Sequence, residues 1–112
     1  MIDRSTVTAV IDTYAKHGWT LRRVLLSAAD EADLGHDVKD LFGEVPIDRA
    51  DSNAAWFSRP QQTGMTAWEL RYLGPTQYAL VAVINEDDDN AEVLSRTERE
   101  LFEKVSKLAS SH

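Results

Sequence analysis

The stretch from residue 54 to residue 84 constrains the fold more than any other part of the chain. Three runs of strand-forming residues lie there, Ala54 to Arg59, Thr66 to Leu73 and Gln77 to Ile84. Only Pro60-Gln61-Gln62-Thr63-Gly64 and Gly74-Pro75-Thr76 separate them. Parallel neighbours need a crossover of a dozen or more residues. Connections this short therefore make the three runs an antiparallel meander.

Register can be argued from the same residues, because a slip of one position moves every side chain to the opposite face. With Gly74-Pro75-Thr76 as the loop, Leu73 faces Gln77, Tyr72 pairs with Tyr78, Leu70 with Leu80 and Trp68 with Ala82. A two-residue loop would set Leu80 opposite Glu69, which is worse. In the first hairpin, pairing Arg59 with Thr66 puts Phe57 beside Trp68 and Trp56 beside Glu69. The expected core face then holds Phe57, Trp68, Leu70, Tyr72, Tyr78, Leu80 and Ile84. The opposite face carries Trp56, Ala67, Glu69, Arg71, Ala79, Val81 and Val83, a mixture that is neither core nor ordinary solvent surface.

Helices flank the meander. Val7, Val10, Ile11 and Tyr14 recur at helical spacing and predict a helix over 6–17, capped by Asp3 or Ser5 and ended by Gly18. Trp19 to Leu26 reads as a strand, but its apolar residues fall on both parities and leave its buried face open. Val38, Leu41 and Phe42 predict a short helix over 37–42, stopped by Gly43. Pro46 and residues 48–53 read as loop. A final helix carries the stripe Leu101, Phe102, Val105, Leu108 and Ala109. Two capping boxes, Asp89 to Glu92 and Ser95 to Glu98, allow it to start near residue 90 or near residue 95.

The expected fold is a single α+β domain over residues 1–112. A four-stranded, mainly antiparallel sheet would combine the meander 54–84 with the strand 19–26. The N- and C-terminal helices would both cover one face.

Composition narrows the function classes. The 112 residues carry 19 acidic and 12 basic side chains, a formal charge of −7, with Arg22-Arg23 the only adjacent basic pair. That balance repels nucleic acid and anionic membranes, so neither is an expected partner. No apolar run approaches the ~20 residues of a membrane span. Met1-Ile2-Asp3-Arg4 leads directly into helix-forming sequence without the pattern of a secretory leader. Cysteine is absent, which removes disulfides and thiolate chemistry and fits a cytoplasmic location.

Few side chains suggest chemistry. The acidic run Glu86 to Asp89 lacks the alternating ligands and the glycine of a calcium loop, and reads as a solvated turn before a helix. Asp33, His36, Asp37 and Asp40 would share a face only if Gly35 did not interrupt the helix. His36 and Asp37 are the residues a divalent metal would have to use, but a cap or exposed loop is the preferred reading. His17 sits where a helix C-terminus favours it. Nucleophile elbows, phosphate-cradling loops and paired-histidine motifs are missing. No cofactor and no catalytic residue is expected.

Trp56, Glu69, Arg71, Val81 and Val83 remain, gathered on the open sheet face. The leading expectation is a non-catalytic interaction or regulatory module that homodimerises through this face. One alternative is a small-molecule or enzymatic site in which Arg71, with Glu69 and Trp56, meets a carboxylate or phosphate. Another is an acidic partner-binding protein of the secretion-chaperone or immunity type.

Overall fold

The computed structural model describes residues 2–61, 63–74, 77–85 and 91–110. The elements run α1 (Arg4–Lys16), β1 (Thr20–Leu26), α2 (Ala28–Leu34), α3 (Asp37–Phe42), β2 (Ile47–Arg49), β3 (Ala54–Pro60), β4 (Met65–Tyr72), β5 (Ala79–Asn85) and α4 (Ala91–Ser110). The class is α+β, and the sheet has five strands in the order β2-β1-β3-β4-β5. The strand beyond the expected four is β2. It pairs parallel to β1, with Val24 opposite Ile47 and Leu26 opposite Arg49. The remaining neighbours are antiparallel.

Parallel pairing requires a crossover, and α2 with α3 supplies it. Ser27 starts α2: its hydroxyl accepts from the Asp30 amide at 3.2 Å and donates to Asp30 Oδ2 at 2.8 Å. Asp30 also receives the Ile2 amide and the Asn53 side-chain amide. One carboxylate thus ties the N-terminus, the start of α2 and the loop before β3 together. Asp3 caps α1 by accepting from the Ser5 amide, and Gly18 at φ +84° turns the chain out of α1 into β1.

The helices do not share one face. Val7, Leu34 and Phe42 from α1, α2 and α3 pack with Val24, Leu26, Ala55, Phe57 and Leu73. Leu101 and Val105 from α4 pack on the other face with Leu25, Ala54, Trp56 and Leu70. The reason lies in β3. Residues 54–58 are all buried, so the central strand is covered on both sides and reads as a continuous apolar run.

The β4–β5 register is as expected, with Leu70 opposite Leu80 and Trp68 opposite Ala82. The first hairpin differs by one position: Trp56 stands opposite Leu70, Phe57 opposite Glu69 and Arg59 opposite Ala67. Pro60 causes the difference, because it is the last residue of β3 rather than the first of the loop. The Gln61 amide bonds the Met65 carbonyl, which makes 61 and 65 a mutually bonded pair. By alternation the Pro60 nitrogen then points toward β1, whose ladder with β3 ends at Ser58. No donor is missed there.

A bulge in β1 explains its mixed parity. Leu21 pairs with Phe57 and Arg23 with Trp56, so Arg22 is extra. Leu21 and, beyond the bulge, Val24 and Leu26 all face the α1 side, whereas Leu25 faces α4. Helix α4 starts at Ala91, the earlier of the two expected positions. Thr97 Oγ1 donates to the Val93 carbonyl inside the helix, so the second capping box is not its start.

Candidate functional site

The shift in the first hairpin moves Trp56 away from Glu69 and Arg71. Its ring is 1% exposed and lies under α4, edge-on to Trp68 with centroids 6.0 Å apart. Trp56 is a core residue whose indole N–H bonds Glu98, and it does not join the open face. Phe57 takes its place there.

Helix α1 crosses part of that face. Tyr14 stacks on Phe57 with centroids 4.1 Å apart and meets Trp19 edge-on at 6.0 Å. Its hydroxyl donates to Glu69 Oε2. Burial pushes the Tyr14 phenol well above its ordinary value, the Glu69 hydrogen bond and charge add to this, and Arg71 opposes it. Tyr14 therefore stays a neutral donor that pins α1 to β4.

Two clefts flank this contact. One, of about 280 Å³, lies between His17, Trp19, Arg59, Tyr14 and Glu69. Arg59 fills much of its edge: its guanidinium lies 4.7 Å from the Trp19 ring centroid and donates to the His17 carbonyl at 3.0 Å. The other, of about 390 Å³, runs along α1 past Thr6, Ala9, Val10 and Thr13 to Arg71 and Gln77. Arg71 is half-buried, and its Nη1 donates to the Tyr72 carbonyl at 3.2 Å. No carboxylate among the described residues pairs with it.

Toward β5 the described residues leave part of the face open. Val81 and Val83 are 59% and 57% exposed and are the large hydrophobic residues that stand out in solvent among the described residues. They lie two apart on β5, hence on one face, at the end of the sheet. The structure thus brings Glu69, Arg71, Val81 and Val83 together and leaves Trp56 out. Tyr14 is the residue that sequence reasoning missed. Its helical spacing assigned it to the core, and nothing local marks a hydroxyl that reaches a residue 55 positions away.

His36 precedes α3 at its N-cap position without a side-chain capping bond, and Asp37 pairs with Arg4 at 2.9 Å. That pair links α3 to α1. No group of three His, Cys, Asp or Glu side chains that could hold a metal occurs among the described residues. The acidic run Glu86 to Asp89 lies outside them. No helix among the described residues is long and apolar enough to cross a membrane. Comparison with family models, with curated proteins and with solved structures finds no match.

Proposed function

We propose that the chain is a non-catalytic interaction module that pairs with a second copy of itself through the edge of β5. The observation that carries this reading is the contrast between the two ends of the sheet. At one end β2 is three residues long, includes Asp48 and Arg49, and follows Pro46. Short length, charge and proline are the usual means by which an edge is kept from pairing. At the other end β5 runs seven residues, ALVAVIN, without a charge or a proline. It has the composition of a strand meant to be covered.

The backbone supports a specific pairing. The Tyr72 amide bonds the Tyr78 carbonyl, so 72 and 78 form a mutually bonded pair, and by alternation Leu80 and Ala82 also turn their polar groups toward β4. Ala79, Val81 and Val83 then turn theirs outward. A two-fold axis through Val81 sets Val81 opposite its counterpart and Ala79 opposite Val83, with all outward groups paired. Such closed two-fold pairs are the commonest homo-oligomers. The strip itself carries no charge, so no like charges face each other within it. Helix α4 packs against β4 and β5 on the other face, and joining the edges brings two copies of it side by side, adding area to the contact.

Light scattering tests the proposal. The wild type at tens of micromolar should have twice the mass of the chain. Val81→Glu places like charges opposite each other and should give a soluble monomer with unchanged circular dichroism. A monomeric wild type overturns the reading, as does a Val81→Glu variant that remains dimeric.

A further inference from the structure

We infer that the cleft between α1 and β4 binds a small organic carboxylate through the side edge of the Arg71 guanidinium. The inference stands apart from the β5 pairing and rests on different residues. Three observations meet in the cleft. Its volume, about 390 Å³, lies within the range of small-molecule sites. Arg71 reaches it half-buried, with one nitrogen, Nη1, committed to the Tyr72 carbonyl. The parallel N–H groups of Nε and Nη2 make no hydrogen bond to any described residue, and no acidic side chain there lies within ion-pair distance. A guanidinium held by one corner presents the opposite edge as a fork, which is the geometry that planar carboxylates accept.

The surroundings choose among anions. Ala9, Val10 and Thr13 line the cleft, and the first two offer an apolar wall for an organic body. Glu69 shares the face two residues along β4, so a second negative charge on the ligand is repelled. Tyr14 occupies the Glu69 carboxylate and keeps it from folding over onto Arg71. A monocarboxylate with a small hydrophobic body suits these walls better than phosphate does.

Benzoate is the probe, followed by the Nε–Hε resonance of Arg71 in nitrogen-15 spectra. A saturable shift is expected at millimolar benzoate, with inorganic phosphate giving a much weaker one. Arg71→Lys keeps the charge but loses the fork, and its affinity, read from the backbone amide shifts of Thr13 and Gln77 that line the cleft, should fall at least tenfold. Ala9→Leu fills the cleft without touching Arg71 and should weaken binding similarly, which guards against an Arg71 variant that merely misfolds. The inference is overturned if no saturable shift occurs up to tens of millimolar, if Arg71→Lys and Ala9→Leu both bind as the wild type does, or if phosphate competes as an equal.

Discussion

Trp56 and Glu98 meet across the boundary between the sheet and α4, the indole N–H donating to Glu98 Oε2 at 2.8 Å. The same oxygen receives Arg23 Nη2 at 3.0 Å, and Arg23 Nε lies 2.7 Å from Asp48 Oδ2. That last N–H is near its partner but not aligned to donate, so the contact is an ion pair without a hydrogen bond. One carboxylate oxygen therefore joins β3, β1 and α4. Glu98→Ala leaves the buried indole N–H without an acceptor and should cost about 1–3 kcal/mol in urea unfolding. Glu98→Gln keeps an acceptor and should lose less. Equal losses in the two variants would mean that the carboxylate charge matters rather than an acceptor of the same shape.

Leu70 is fully buried and stands between Trp56 on β3 and Leu80 on β5. Leu70→Ala should destabilise the fold by about 2–5 kcal/mol, the range for a core leucine that leaves a cavity. A loss below about 0.5 kcal/mol, as at surface positions, would contradict the packing of α4 on this face.

Asp30 gives a pH dependence with a definite sign. Its carboxyl is held below the usual value of 3.8, first by the Asn53 amide and then by the Ser27 hydroxyl. A depressed folded pKa contributes stability above the unfolded value, and that contribution is lost as pH falls through the folded value. The stability advantage of the wild type over Asp30→Asn should be constant near neutral pH and shrink in acid below about pH 4. An advantage that grows in acid would reverse the assigned sign.

Tyr14 should ionise well above the ordinary tyrosine range, because burial and the Glu69 contact disfavour its phenolate. Its raised folded pKa means that the Glu69 contact is complete below the ordinary value of 10.0 and is lost as pH rises through the folded one. Tyr14→Phe should remove a step above the ordinary range from a phenolate absorbance titration. A variant that keeps that step would show that another tyrosine carries it.

The parts of the fold that were legible in sequence are those where local chemistry and packing agree. The helix over 37–42, the meander and the Leu70–Leu80 register follow from turn residues and cross-strand apolar pairs. Pro60 misled the first hairpin because its tolerance depends on where β1 begins, which no local pattern states. Helix α2 carries almost no apolar stripe, only Leu34 at its end. Its visible signal was Ser27 followed by Asp30, a capping pair that reads clearly once sought. Strand β2 is three residues long with only Ile47 apolar, and it exists because β1 offers it a partner. At the candidate site, Arg71, Glu69, Val81 and Val83 could be placed on one face by parity alone. Tyr14 and the loss of Trp56 could not, since both depend on which helix covers which side of β3. The consecutive run Ala54-Ala55-Trp56-Phe57 was the available hint that both sides are covered.

The extra residue in β1 has a mechanical consequence. Leu21 precedes it and Val24 and Leu26 follow it, all on the α1 side although their positions are out of step. An unbroken strand could slide along its neighbour and trade one set of similar contacts for another. β1 cannot, because any displacement that suits one half carries Arg22 or Arg23 of the other toward the apolar layer beneath α1. The bulge thus acts as a detent that permits a single seating of β1 against β3. Deleting Arg22 would remove the detent while leaving Leu21, Arg23 and Val24 opposite Phe57, Trp56 and Ala55 as before, so β1 would keep its faces and lose its lock.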